Sequence, residues 1–271
     1  MKALSVLLTL LIVISCSADK KSNQLLAQGD SLAQNDNYNE AIKKYTIALD
    51  LNEENYLALH NRAYCLYKQN KIEEAIHEYF KSLQIKKDFY LSYYNLGLCF
   101  EAIHNIEKAI KYYQKAQQLN PKFANSFLME GVLRGEKGDY VGELNCYETL
   151  LKINPKYAQA WFNKGCVEDD LGRYKEAINS YNIALQIESN YSECFLNRGI
   201  ALGNLNQKMD ELYNYNMALK TDSTFAEAWL SRGIWYCENK NTLKGLLDIK
   251  NAYHLGLKES EYYLNLYSNE H

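Results

Sequence analysis

The chain has 271 residues, 47% apolar and 23% charged, which is the balance of an ordinary soluble protein. Its formal net charge of −3 excludes a general nucleic-acid-binding polycation, because such proteins carry a basic stripe. Tyr is abundant at 24 copies and Pro nearly absent at two, which suits a chain made almost wholly of helix.

Met1 and Lys2 precede an apolar run from Ala3 to Ser15, broken only by small hydroxyl residues. The run is too short to anchor across a bilayer and fits the apolar core of a signal peptide over residues 1–15. It ends Val13-Ile14-Ser15-Cys16 and then turns polar at once. This junction resembles the lipobox of bacterial lipoproteins, in which the Cys is acylated and becomes the first mature residue. The resemblance implies lipidation at Cys16 and membrane attachment through acyl chains, which bury methylenes at about 0.8 kcal/mol each. A plain secretory signal with an incidental Cys is the other reading. Ser17 stands where Asp resembles an inner-membrane retention signal, so an outer-membrane position facing the periplasm is favoured. Residues 16–21 then form the lipidated Cys and a short tether, about 20 Å long at most if extended.

From Ser22 to Glu259 the sequence repeats every 34 residues without insertion, in units 22–55, 56–89, 90–123, 124–157, 158–191, 192–225 and 226–259. The clearest unit carries Trp161, Gly165, Tyr174, Ala177, Tyr181 and Ala184 at places 4, 8, 17, 20, 24 and 27. Each unit holds two amphipathic helical patterns joined by a turn, and both Pro residues, Pro121 and Pro155, fall at place 32 between units. The pattern resembles the tetratricopeptide repeat, a helix–turn–helix module of this length. That resemblance implies an all-α fold: an α-solenoid, wound as a right-handed superhelix of seven repeats, with a C-terminal cap helix over 260–271. In the cap, Tyr263, Leu266 and Tyr267 are expected inward, and Glu261, Asn265 and Asn269 outward. The small residue at place 8 is expected to let the second helix approach at its own small residue, place 20. Each pair leaves an apolar side uncovered, so neighbours must stack.

Two units break the rule at place 20, with Glu143 and Glu211 where Ala is expected. A carboxylate there loses hydration and needs a partner. Arg134 and Arg198 are the candidates, and Arg232 with Asp248 looks like a similar pair. Seven Cys leave six after Cys16, and their places put them on different faces, so most are expected to be buried small residues; Cys166 with Cys194 is the least implausible disulfide. The His residues show no metal-ligand spacing, and no phosphate loop, nucleophile elbow or Cys/His constellation occurs. No cofactor, no metal and no enzyme activity are expected.

In the tetratricopeptide family the first helix of each repeat lines a concave surface. Place 6 there is Asn61, Asn95, Asn163 and Asn197, and an Asn amide both donates and accepts, so such a row can grip the main chain of an extended peptide. Helix–helix bonding is the competing role for the same row. Place 5, with His60, Tyr94 and Phe162 among Leu residues, is expected to form an apolar and aromatic floor, or else core. Glu101, Glu136, Asp169, Asp170 and Glu238 add an acidic rim at places 12 and 13, which favours a neutral or basic ligand or is simply a solvated face. A carboxylate clamp, which in the family uses Lys and Arg in this groove, is not expected, since place 2 carries only Asn, Leu, Gln and Glu. The expectation is a membrane-anchored scaffold binding another envelope protein or peptide in cell-envelope assembly or secretion. The alternative is a structural subunit that self-associates or packs without a peptide ligand.

Overall fold

The computed structural model describes the backbone of residues 2–268 and the side chains of residues 17–268; the Cys16 side chain and Asn269 lie outside the described residues. Fifteen helices and no strand occur among the described residues. In chain order they are α1 (Lys2–Gln34), α2 (Tyr38–Leu51), α3 (Tyr56–Lys68), α4 (Ile72–Ile85), α5 (Tyr90–Ala102), α6 (Ile106–Leu119) and α7 (Ala124–Glu136). They continue as α8 (Tyr140–Ile153), α9 (Ala158–Asp170), α10 (Tyr174–Ile187), α11 (Ser192–Asn204) and α12 (Lys208–Thr221). The last three are α13 (Ala226–Glu238), α14 (Thr242–His254) and α15 (Ser260–Ser268). The chain divides into two compact units, Met1–Leu133 and Arg134–His271.

In the first unit α1 packs on α2, α3 on α4 and α5 on α6, and each pair also packs on the next. The core is a run of buried Ala, Leu, Cys and Tyr residues, with Tyr45, Tyr79 and Tyr113 wholly enclosed. The second unit repeats the arrangement with α9 on α10, α11 on α12 and α13 on α14, around Tyr147, Tyr181 and Ile249. Residues 17–21, read from sequence as tether, are helical and continue α1, and the Asn52 amide donates to Asp19 at 2.8 Å.

One turn joins the two helices of every repeat. Asp36, Asn70, His104, Gly138, Gly172, Asn206 and Lys240, all at place 15, take positive φ between 56° and 75°. The next residue's N–H returns to the carbonyl five residues back, as in Lys71 to Leu66 at 2.9 Å and Arg173 to Glu168 at 2.8 Å. The place-15 N–H itself bonds three residues back, as in Gly172 to Asp169 at 2.8 Å. This is the Schellman ending, which satisfies helix carbonyls that otherwise lack partners.

Place 8 works differently from the sequence expectation. A Cβ on Gly29, Gly97, Gly165 or Gly199 would lie under 3 Å from the ring of the place-24 Tyr, so the missing side chain chiefly makes room for an aromatic ring. In the last pair the expected approach does appear: a Cβ on Gly233 would press on the Gly245 carbonyl at 2.9 Å. Place 20 instead meets place 12. A Cβ on Gly135 would strike the Glu143 carboxyl, one on Gly203 that of Glu211, and one on Gly245 the Cys237 sulfur. A Glu at place 20 is thus accommodated by Gly at place 12.

Place 7 bridges three helices. The Arg232 Nε donates to Asp248 at 2.7 Å in its own repeat, and Nη1 reaches Asn216 of the preceding one at 2.8 Å. Arg198 makes the same pair of bonds to Asn214 and Asn182, at 2.8 and 2.6 Å, rather than serving Glu211. Arg62 pairs with Glu78 and donates to Thr46 at 3.1 Å. Arg134 binds Asp139, while Glu143 accepts from the Tyr147 hydroxyl at 3.0 Å. In the cap, Tyr263, Leu264 and Tyr267 pack on the core while Leu266 is exposed, so the buried stripe includes Leu264 where Leu266 was expected. The six described Cys residues are free thiols, and all but Cys166 are buried.

Candidate functional site

The first helices carry the residues expected to bind. Each place-6 Asn is half-buried and turns its Nδ2 toward the preceding repeat. Asn61 donates to Asp30 at 2.7 Å, Asn95 meets His60 Nε2 at 3.4 Å, Asn163 reaches the Tyr147 hydroxyl at 3.5 Å and Asn197 the Cys166 sulfur at 3.4 Å. The row is therefore a seam between repeats on its donor side.

Place 5 is packed rather than presented as a floor. His60 is buried, and Tyr94 and Phe162 are half-buried against aromatic residues at place 34: Phe89, Phe123 and Tyr191, with centroids 4.9, 5.0 and 4.8 Å away. His60 heads a hydrogen-bonded chain. Its Nδ1 lies 2.8 Å from Ser92 Oγ, which lies 3.3 Å from Ser82 Oγ, and that hydroxyl donates to the Tyr56 carbonyl at 2.9 Å. With Nε2 facing the Asn95 amide, the chain runs in one sense: Asn95 to His60 to Ser92 to Ser82 to Tyr56. Burial lowers the His60 pKa to about 4, so the ring is neutral.

The acidic residues do converge with another set, the place-24 Tyr hydroxyls. Tyr45 donates to Asp30 at 2.8 Å, Tyr113 to Glu101 at 2.6 Å, and Tyr215 to Glu211 at 3.1 Å. Asp169 occupies the place of Glu101 but is one methylene shorter; both its Oδ1 and the Tyr181 hydroxyl are buried without a hydrogen-bond partner. Burial, then the neighbouring Asp170, raises the Asp169 pKa. Burial also raises Glu143, with Asp170 and Asp139 adding to it, and burial followed by Glu238 raises Glu211. Glu136, Asp170 and Glu238 are exposed. The second unit thus holds an acidic strip whose carboxyls raise one another's pKa, with two buried polar atoms lacking partners. Sequence reasoning missed the Tyr–carboxylate pairing; its signal was the invariance of Tyr at place 24 over six units beside acidic residues at places 9, 12 and 20. Among the described residues no group of His, Cys, Asp and Glu is arranged to hold a metal ion.

These helix pairs, with their place-8 gap, Schellman turn and stacked neighbours, define an all-α protein of tetratricopeptide type. Residues 26–90 match one family model of the tetratricopeptide repeat, and residues 90–123 and 158–191 match another. Tetratricopeptide repeats are thus matched over residues 26–123 and 158–191. Solved structures show the same fold. The C-terminal part of a TPR repeat-containing protein from Cytophaga hutchinsonii aligns with a TM-score of 0.72 at 17% identity, over 87% of this chain and 97% of that one. A tetratricopeptide repeat protein from Parabacteroides merdae aligns at 0.64 and 18% identity, over 92% and 99%. YrrB, described as a TPR protein with an unusual peptide-binding site, aligns at 0.58 and 20% identity, over 71% and 98%. No curated protein matches the chain.

Proposed function

We propose that the protein is a lipid-anchored scaffold of the cell envelope that holds a neutral or basic segment of another envelope protein against its first helices. The observation that carries this reading is the acidic strip of the second unit, where Asp169 and Tyr181 keep polar atoms unsatisfied and, among the described residues, no cation pairs with Asp170. A Lys or Arg on a bound segment supplies that charge. The Asn row contributes its side-chain oxygens, which the donor bonds to the preceding repeat leave available. Attachment at Cys16 would keep the repeats at an outer-membrane surface facing the periplasm, consistent with the short stretch between Cys16 and Ser22. Among the described residues no helix is long and apolar enough to cross a membrane.

Crosslinking in intact cells, followed by purification of native chain and an Asp169→Asn/Asp170→Asn variant, tests the site. Loss of one envelope protein from the variant, with helicity retained, is the expected result; an identical partner set refutes it. Labelled palmitate should enter the native chain and not Cys16→Ser.

A second reading has its own support. Met209 and Tyr213 on α12, and Leu243 and Leu247 on α14, stand at equivalent places and are 74%, 58%, 86% and 60% exposed. Exposed apolar residues in register suit a subunit that packs against a copy of itself. Light scattering over a concentration series separates the two, since only this reading requires a dimer that Leu243→Asp dissolves.

A further inference from the structure

The first unit holds a cavity of about 700 Å³ that the surface above does not use. It lies between the second helices of two adjacent repeats, α4 and α6, with Tyr93 of α5 at its edge. Its volume falls in the range of ligand pockets, roughly 300–1,000 Å³. One wall is aromatic. Tyr112 stacks on Phe100 at 5.2 Å and 11°, lies near-parallel to Tyr93 at 6.4 Å and 22°, and meets Phe80 edge-on at 6.2 Å. Phe80 is 38% exposed, so this wall is presented rather than enclosed.

The rim is basic. Lys87, Lys111 and Lys115 line the cavity, no carboxylate does, and all three side chains are exposed. None of the three ammonium groups is in an ion pair among the described residues; Lys115 makes one long contact, 3.4 Å, to Gln118. Gln84 and Gln118 complete the edge with side-chain amides. Three kinds of group therefore meet here: an aromatic wall, free cations and amides that both donate and accept. An apolar anchor with flanking carboxylates fits the first two, and a peptide main chain fits the third. A lipid headgroup would use the cations and leave the amides without partners.

We propose that this cavity is a second peptide site, which takes an acidic segment of a partner protein with an apolar or aromatic anchor residue. Its charge preference is the reverse of that expected for the acidic strip, so the two sites select different segments.

The probe is a fluorescein-labelled peptide of sequence Glu-Glu-Leu-Trp-Glu-Glu, with Lys-Lys-Leu-Trp-Lys-Lys as its counterpart, read by anisotropy. The acidic peptide should bind the full chain and weaken as salt rises from about 50 to about 500 mM, as screening requires. Lys111→Glu/Lys115→Glu alters only exposed side chains and should weaken binding by about tenfold or more. Phe80→Ser should weaken it at both salt concentrations. Asp169→Asn/Asp170→Asn should leave it unchanged, which keeps this site separable from the acidic strip. Equal binding by the native chain and the double Lys variant overturns the proposal. So does equal binding of the two peptides, or binding of phosphatidylglycerol vesicles without binding of the acidic peptide.

Discussion

His60 shows how one residue changes meaning between sequence and fold. Place 5 marked it as a groove residue, yet it is buried and donates along a chain of Ser hydroxyls. Its depressed pKa has a consequence for stability. The unfolded chain takes up the imidazole proton near pH 6.5, the folded one only near pH 4. Between those values the unfolded state binds more protons, so the contribution is present above pH 6.5 and is lost as pH falls to about 4. The loss is about 3 kcal/mol. Urea titrations at neutral pH and near pH 4 should show this difference in the native chain relative to His60→Gln, whose amide does not titrate. Parallel pH dependence of the two would show that His60 is not held neutral. Nothing in the local sequence carried this, because Ser92 reaches His60 only once two repeats stack.

At the scale of elements, the helix pairs were legible from the sequence and their contacts were not. After α1, helices begin at place 1 and place 17 because the apolar period and the turn residues mark those points. The partner of each place was misjudged where size decides: Gly at place 8 faces a Tyr ring, and place 20 faces place 12. The place-20 carboxylates were given Arg134 and Arg198 as partners, but Arg198 binds two Asn residues, which a search for opposite charge overlooks. The shared turn yields a prediction. Lys240 holds φ at 63° in a conformation that a side chain disfavours by about 1–2 kcal/mol, while Gly gives back part of that in chain entropy. Lys240→Gly should stabilise the chain by about 1 kcal/mol, and Gly172→Val should destabilise it by at least as much. Thermal melts of the two variants decide it, and a Lys240→Gly variant no more stable than its parent would mean the turn is relieved in some other way.

At the scale of the whole molecule, a strict period let seven units be counted from the sequence, while the division into two compact units left no mark in composition or spacing. The signal segment and Cys16 rest on the sequence pattern alone. The thiols offer a way to follow each unit. Cys65 and Cys99 lie in the first, and Cys146, Cys166, Cys194 and Cys237 in the second. Burial pushes the Cys65 thiol up to about 11 and Cys99 and Cys194 to about 12, so neither access nor thiolate is available in the folded state. Alkylation in native buffer should begin at Cys166, the half-buried thiol, and reach Cys65, Cys99 and Cys194 only as denaturant opens the unit that holds each. Rapid native labelling of Cys99 would contradict the packing of the first unit.

The contact between places 12 and 20 also bears on how such a chain can change over generations. Glu143 and Glu211 sit where a Cβ opposite would press on their carboxyls, and both face Gly. Of the two orders of change from an ordinary repeat to this one, one meets less steric resistance than the other. Losing bulk at place 12 first leaves a small gap, a tolerable defect. Gaining Glu at place 20 first forces a carboxylate against a full side chain in the middle of a helix pair. The glycine thus leaves room for the glutamate, and a side chain restored at Gly135 or Gly203 would have to displace the flexible carboxyl end of that Glu.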